Sequence, residues 1–211
     1  MDKNEILGRV DLTLLSPTCT EAQIKALCED AVSLGTASVC VPPCFVSFAR
    51  SIDNRVKVCT VIGFPNGYSP TAVKCAETSE TIKNGADEID MVINLCLLKD
   101  KKYAQLLNEI KQIRSICGER ILKVIIETCL LSDNEKIEMC RLVSDSGADY
   151  IKTSTGFSKA GATTEDICLM RKHCNPSLKI KASGGIRTFR NAELMLLSGA
   201  DRIGTSGLAD E

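Results

Sequence analysis

Short apolar runs recur along the chain at regular intervals, each bounded by glycine, proline or polar residues that favour turns. They are rich in valine and isoleucine and span four to eight residues, which is typical of strands buried on both faces. The pattern predicts eight strands, over residues 10–14, 37–41, 56–63, 88–94, 121–127, 150–153, 179–183 and 202–205.

Between these runs, the apolar positions follow the helical period of three to four residues. The predicted helices cover residues 21–34, 43–50, 71–84, 101–117, 134–146, 164–173 and 190–198. Two of them carry start signals. Ser69-Pro70 reads as an N-cap followed by a proline at the first helical position, and Ser132 with Glu135 reads as a capping box.

A Gly-Ala-Asp tripeptide opens three of the predicted strands, at Gly85, Gly147 and Gly199, and a looser version begins at Gly35. Each glycine follows a helical pattern, where a left-handed C-cap is favoured. This repeated order of helix, loop and strand predicts an α/β fold with a parallel sheet, and eight strands suit a closed (β/α)8 TIM barrel. No linker divides residues 1–211, so we expect a single domain with a short or missing last helix.

Composition places the chain among ordinary globular proteins, with 44% hydrophobic and 25% charged residues. A net charge of −1 and the lack of a Lys/Arg-rich stripe argue against a nucleic-acid partner. No apolar run reaches the ~20 residues that span a bilayer, and the amino terminus lacks the apolar core of a signal peptide. We therefore expect a cytoplasmic protein without a membrane partner.

The twelve cysteines are scattered singly, and His173 is the only histidine, so zinc-type spacing is missing and no metal is expected. Most of the cysteines should be reduced thiols that pack as small apolar residues. His173 stands at a helix end, where a polar or cationic group is favourable. Neither nucleotide-binding glycine loop occurs, and we interpret residues 161–164 only as a helix start, so no cofactor is expected.

Two lysines near strand ends are the strongest chemical signal, Lys152 in the sixth strand and Lys181 in the seventh. Strand alternation turns both, with Asp90 of the fourth strand, away from neighbouring isoleucines and into the barrel. Two amines in one pocket lower each other's pKa, which makes a lysine nucleophilic and indicates imine chemistry. The alternative is purely structural, a set of ion pairs such as Asp90 with Lys152.

Glycine- and hydroxyl-rich turns follow the last three strands: Thr155-Gly156, Ser183-Gly184-Gly185 and Gly204-Thr205-Ser206-Gly207. Phosphate sites in such barrels are often built from the loops after strands seven and eight, where backbone N–H groups cradle the anion. The chain thus indicates imine chemistry on a phosphorylated carbonyl compound. The other polar residues at strand ends are Asp11, Thr13, Cys40, Asn66, Lys123 and Glu127.

Motifs across nearly the whole chain resemble those of deoxyribose-phosphate aldolases. The segment ADYIKTSTG at 148–156 resembles the Schiff-base motif of that family. The resemblance continues through DLTLL at 11–15, VCVP at 39–42, VIGFP at 61–65 with Gly67, GADEIDMVIN at 85–94, LKVIIET at 122–128, KASGGIRT at 181–188 and RIGTS at 202–206.

The resemblance implies a TIM-barrel enzyme that reversibly cleaves 2-deoxy-D-ribose 5-phosphate to acetaldehyde and D-glyceraldehyde 3-phosphate, without metal or cofactor. It implies that Lys152 forms the imine, that Lys181 favours the neutral form of this amine, and that Asp90 relays protons. It also implies a homodimer. The remaining implied site residues are Gly184, Gly185, Gly204, Ser206 and Thr155 for the phosphate, Asp11, Thr13 and Cys40 lining the sugar pocket, and Lys123 facing the same site.

Two departures from the family pattern accompany these expectations. Some members carry a carboxyl-terminal tail ending in a tyrosine that assists proton transfer, whereas this sequence ends at Glu211, so we expect a slower proton step or a shorter form. Gly207 replaces a serine of some members' phosphate loop.

Cys40 has two interpretations. In the family it is a pocket thiol that reacts with an unsaturated aldehyde, and the alternative is a buried and inert thiol at a strand end. The alternatives in function are another lysine-imine phosphosugar aldolase and a non-catalytic sugar-phosphate-binding barrel.

Overall fold

The eight apolar runs form parallel strands that pair in chain order, and β1 pairs with β8 to close a barrel. The computed structural model describes residues 1–210. The strands are β1 (Val10–Thr13), β2 (Ser38–Val41), β3 (Val58–Ile62), β4 (Glu88–Val92), β5 (Ile121–Ile125), β6 (Tyr150–Lys152), β7 (Lys179–Ser183) and β8 (Arg202–Thr205). The predicted (β/α)8 class is confirmed.

Nine α-helices accompany the strands within residues 1–210, and most of them form a layer around the barrel. Their apolar faces are buried at helical spacing, as with Ile24, Cys28 and Ala31 of one helix. The helices are α1 (Lys3–Leu7), α2 (Glu21–Leu34), α3 (Val46–Ile52), α4 (Thr71–Lys83), α5 (Leu95–Lys99), α6 (Tyr103–Cys117), α7 (Asp133–Ser144), α8 (Thr164–His173) and α9 (Phe189–Leu197).

The differences from the predicted helices have local causes. The helices α1 and α5 have five residues each, too few to show a helical period, and they rest on caps by Asp2 and Asn94. The capping box at Ser132 is confirmed. The predicted start at Ser69-Pro70 is wrong by one residue, because Pro70 is the N-cap, with an extended ψ of 146° and no side-chain cap bond.

The two faces of each strand meet different surroundings. Ile89, Ile151 and Ile180 are fully buried and join the apolar core that contains the buried faces of the helices. The alternate residues of the same strands point into the barrel, where branched apolar side chains are usual. Here the interior carries charge instead, and Lys152 is the direct register partner of Lys181 across β6 and β7.

The carboxyl ends of all eight strands open at one end of the barrel, so their loops can build a common site. No helix follows β8 among residues 206–210, in keeping with the expected short or missing last helix. Within the described residues, none of the helices combines the length and apolarity that a bilayer span requires.

Candidate active site

A cavity of about 430 Å³ opens at the carboxyl ends of β1, β6, β7 and β8. This volume lies in the range of small-molecule sites. The loops after these four strands supply its walls, and the Lys152 side chain reaches it from within the barrel. The lining residues are Thr13, Leu14, Leu15, Ser16, Pro17, Lys152, Thr155, Gly156, Phe157, Ser183, Gly184, Gly185, Ile186, Arg187, Gly204, Thr205 and Ser206.

Lys152 lies at the floor of this cavity with only 3% of its surface exposed. Its Nζ is 2.8 Å from Asp90 Oδ2, so the ion pair weighed as a structural alternative is present. The backbone is fixed on both sides of the lysine, because Ile126 N donates to Lys152 O and Thr153 N donates to Lys181 O.

Lys181 lies deeper and is fully buried. Its Nζ contacts Asp90 Oδ2 at 2.7 Å and also pairs with Asp11. Burial disfavours the ammonium form, but the Asp11 and Asp90 carboxylates outweigh burial and raise the pKa of Lys181 above its ordinary value. The expectation that each amine lowers the pKa of the other is therefore wrong for Lys181, which stays a cation.

Asp90 connects the two amines through a single oxygen. Its Oδ2 accepts from both Lys152 and Lys181, while Oδ1 accepts from Lys123 at 2.7 Å and from the Cys59 thiol at 3.2 Å. Burial favours the protonated acid, but the three ammonium groups outweigh it and hold the pKa of Asp90 well below its usual range. Asp90 is therefore a carboxylate that accepts hydrogen bonds from both lysines.

A second layer of charge lies beneath these groups. Lys123 contacts Glu88 at 2.6 Å and Asp11 at 3.5 Å, and Arg202 contacts Asp11 at 2.7 Å. Burial acts against the charge of Lys123, but Asp90 and the other nearby anions raise its pKa well above the ordinary value. Lys123 was expected to face the same site; it is fully buried and absent from the cavity lining, and it meets the site through Asp90, 2.7 Å from its Nζ.

The network contains one more basic group than acidic groups. Three carboxylates, on Asp11, Glu88 and Asp90, face four basic side chains, on Lys123, Lys152, Lys181 and Arg202. An uncompensated charge inside a protein is costly. Of these four basic groups, Lys152 is the one that lines the cavity.

Thr13 lines the cavity as expected, but Asp11 and Cys40 do not. Both are fully buried, which corrects the expectation that they line the sugar pocket. Asp11 stands two positions before Thr13 on β1, one layer deeper in the barrel interior. Cys40 belongs to β2, and the cavity is lined from β1, β6, β7 and β8. The Cys40 thiol lies near Cys59, whose hydrogen bond lowers the pKa of Cys40 although burial opposes this.

The predicted phosphate loops lie together at one side of the cavity. Gly184 and Gly185 have φ of 84° and 78°, in the left-handed region that glycine tolerates best. A Cβ on Gly204 would lie 3.0 Å from Lys181 Cε, so the glycine makes room for the buried lysine. Thr155, Gly184, Gly185, Gly204 and Ser206 all line the cavity.

Residues 161–164 do more than start α8. A Cβ on Gly161 would lie 2.1 Å from the Gly184 carbonyl oxygen, so this position admits no side chain unless the backbone shifts. The Ala162 N–H donates to the carbonyls of Ser183 and Gly184 at 3.0 and 3.2 Å. The interpretation of this segment as a helix start only is wrong, because the segment also supports the loop after β7.

Sequence reasoning did not single out Arg187 or Phe157, and both line the cavity. Arg187 follows the two glycines after β7 by two residues, and a cation beside a glycine turn was an available signal for an anion site. Phe157 is half exposed and meets Phe64 edge to face, with ring centroids 5.2 Å apart. Sequence separation hid this contact.

Two groups of three side chains in the described part of the chain are close enough to share a metal ion: Cys40, Cys59 and Asp90, and Asp11, Cys59 and Glu88. In both groups, Lys123 lies beside the carboxylates, and its Nζ is 3.2 Å from Cys59 Sγ. A divalent cation at either place would be repelled by the positive charge of the Lys123 ammonium group.

The buried carboxylates predict how stability depends on pH. The pKa values of Asp11 and Asp90 are lowered on folding, because Lys181 and Lys123 respectively lead the charges that outweigh burial. Their stabilisation is present above the unfolded value of ~3.9 and is lost as pH falls further. We expect urea denaturation to give a constant free energy of unfolding from about pH 7 to 5, and a steep loss below about pH 4.

The Asp11→Asn variant is the control for that titration. It should be less stable by about 3 kcal/mol at pH 7, since it leaves Lys181 and Arg202 with one partner fewer. It should also lose less stability between pH 5 and pH 2 than the wild type, because it lacks one of the titrating groups. Identical pH slopes in the two proteins would contradict this account.

Comparison with known proteins gives consistent matches over nearly the full chain. The sequence profile of the DeoC/LacD family aldolases matches residues 2–209. A deoxyribose-phosphate aldolase of Clostridium botulinum strain Eklund 17B is 49% identical over 207 residues, covering 98% of this chain and 94% of that protein. One of Clostridioides difficile strain 630 is 50% identical over 204 residues, covering 96% and 93%.

Solved structures agree with these matches. The structure of deoxyribose phosphate aldolase from Aeropyrum pernix, described as a unique tetramer, superposes with a TM-score of 0.88 at 33% identity. It covers 97% of this chain, and the match covers 88% of that one.

Proposed function

The chain belongs to the DeoC/LacD family of aldolases, and on that premise we propose that it is a class I aldolase acting on 2-deoxy-D-ribose 5-phosphate. The reaction is the reversible cleavage of this sugar to acetaldehyde and D-glyceraldehyde 3-phosphate. One observation carries the proposal: Lys152 reaches the cavity floor with its amine 2.8 Å from a carboxylate that also holds the protonated Lys181.

Lys152 is the proposed nucleophile. Its neutral amine attacks the C1 aldehyde of the open-chain sugar, and loss of water gives the protonated imine. Lys181, which is paired with Asp11 and Asp90, places a positive charge beside this amine. The protonated imine then takes up the electron pair of the C2–C3 bond when the C3 hydroxyl loses its proton.

Asp90 and Lys181 are the proposed proton relay. Cleavage leaves an enamine on Lys152, and C2 must gain a proton before water can release acetaldehyde. Asp90 Oδ2 lies 2.8 and 2.7 Å from the two amines, within the reach that general acid–base catalysis needs. Protons can thus pass between Lys181, Asp90 and the reacting atoms, directly or through water.

The loops after β6, β7 and β8 are the proposed phosphate site. The left-handed turn at Gly184-Gly185 can aim backbone N–H groups at an anion, Ser206 adds a hydroxyl, and Thr155 lines the same wall. Arg187 supplies a guanidinium on the same wall, which suits a phosphate dianion. Thr13 lies at the end of β1, which pairs with β8, and it faces the sugar in this proposal.

We further propose a cytoplasmic homodimer as the working form. The twelve cysteines are free thiols, as a reducing compartment would keep them. A related structure is described as a tetramer, so a tetramer is the alternative assembly to test. Light scattering of the purified protein distinguishes a dimer from a tetramer or a monomer.

Borohydride trapping tests the proposed function. The protein is incubated with 2-deoxyribose 5-phosphate, reduced, digested and examined by peptide mass spectrometry. We expect a stable adduct on Lys152, together with acetaldehyde release in the unreduced sample. An adduct on Lys181 alone would reverse the two amine roles. Phosphosugar binding without any adduct would favour the non-catalytic barrel, and turnover of dihydroxyacetone phosphate as donor would favour another lysine-imine aldolase.

A further inference from the structure

Glu127 has a backbone conformation that residues with side chains rarely adopt. It lies two residues beyond β5, with φ of 55° and ψ of 65°, in the left-handed region. Among the described residues, Lys101 is the one other non-glycine residue with positive φ, and Lys101 is exposed. Glu127 is instead buried, with 3% of its surface accessible. Such strain persists only when its surroundings enforce it, and it clusters at functional sites.

The Glu127 carboxylate holds Thr155, the third residue after β6. Both of its oxygens accept from Thr155 N, at 3.4 and 3.3 Å, and Oε2 also accepts from Thr155 Oγ1. Thr155 Oγ1 in turn accepts from Phe157 N at 3.1 Å. One buried carboxylate therefore fixes the N–H and hydroxyl of one loop residue and, through it, the N–H of another.

This loop forms one wall of the cavity. Thr155, Gly156 and Phe157 all line it, and Phe157 reaches across to Phe64 after β3. Gly156 has φ of 84° and no neighbour that a Cβ would meet, so the loop has little packing of its own at this residue. The hydrogen bonds to Glu127 supply the restraint that packing does not.

We propose that Glu127 is a positioning residue that holds the Thr155–Phe157 wall in place for the phosphate end of the substrate. The proposal rests on the proposed function. It requires that the carboxylate act through Thr155 rather than on the reacting atoms, since Lys152 pairs with Asp90 and not with Glu127. Loss of the carboxylate should therefore impair binding of the phosphosugar and spare chemistry at the lysine.

Three substitutions distinguish the contribution of the Glu127 carboxylate from that of its strained backbone. Glu127→Ala removes the carboxylate and keeps the strain, Glu127→Gly removes the carboxylate and relieves the strain, and Glu127→Gln keeps one acceptor oxygen. Lys101→Gly is the matched control, because it relieves the same left-handed backbone at an exposed site away from the cavity. Two readouts are compared: KM for 2-deoxyribose 5-phosphate, and the rate of borohydride-trapped acetaldehyde adduct formation on Lys152, which needs no phosphate.

We expect KM to rise at least about tenfold in both Glu127→Ala and Glu127→Gly, since hydrogen bonds to a charged group are lost. Glu127→Gln should recover part of this loss, and Lys101→Gly should match the wild type. Acetaldehyde adduct formation should stay within about twofold in all four variants.

Three results would overturn the positioning role. The first is an unchanged KM in Glu127→Gly. The second is a rise in KM that is matched by an equal loss in the rate of adduct formation in the glycine and alanine variants. The third is a Glu127→Gln variant whose KM is as high as that of Glu127→Ala. The proposed function fails separately, if the wild type itself neither turns over the phosphosugar nor forms an adduct.

Discussion

Replacing Lys152 with leucine is expected to reduce cleavage of 2-deoxyribose 5-phosphate by on the order of 10⁵-fold or more, as removal of a covalent nucleophile does. Among residues 1–210, no other amine lines the cavity, because Lys181 and Lys123 are fully buried and paired with carboxylates. The fold should survive, since Asp90 keeps its contacts with Lys123 and Lys181. Steady-state kinetics measures the loss of turnover, and circular dichroism checks that the fold is retained.

The control for this variant is Lys179→Leu. Lys179 belongs to β7, two residues before Lys181, but lies at the other end of the strand, exposed and over the Tyr150 ring. We expect Lys179→Leu to keep wild-type turnover. Residual activity of Lys152→Leu within a factor of about ten of the wild type would show that the imine forms elsewhere or not at all.

Replacing Lys181 with leucine is expected to lower the rate at pH 7 by about a thousandfold and to restore part of it at higher pH. Without this cation, the network loses its excess of one basic group, and the nucleophile loses a neighbouring positive charge of the kind that favours a neutral amine. A pH–rate profile from pH 6 to 10 measures the shift.

Lys181→Arg separates charge from shape in the same experiment. It retains the cation beside Lys152, so its pH–rate profile should keep the wild-type midpoint even where the larger guanidinium lowers the rate. The charge assignment fails if the Lys181→Leu profile has the wild-type midpoint. A variant that unfolds is recognised by its lost near-UV circular dichroism, and trapping of acetaldehyde at high pH then reports on any folded fraction.

The sequence predicted which residues belong to the candidate site better than it predicted where each of them lies. Lys152, Lys181 and Asp90 were identified because charged residues stand out within apolar strands, and the structure brings all three within hydrogen-bond distance. The depth of Asp11, Cys40 and Lys123 was not predictable in the same way. Which interior side chains line the cavity depends on how far each strand runs past its neighbours.

The pKa of Lys181 shows that knowing which residues form a pocket is not enough to predict the direction of a pKa shift. Two facing amines suggest mutual lowering of pKa, but Asp11 approaches from β1 and outweighs the second lysine. No local feature of the sequence pairs residue 11 with residue 181. The contact exists because the barrel closes, with β1 next to β8 and β8 next to β7.

The sequence by itself determined the fold class, the approximate positions of all eight strands and the residues that carry charge into the barrel. These follow from period-two and period-3.6 patterns, which are local and survive small errors in boundaries. Only the tertiary structure decided which charged groups are paired, which lie beneath the cavity, and that Glu127 holds the loop after β6. Those features depend on contacts between residues far apart in the chain, and barrel closure sets their distances.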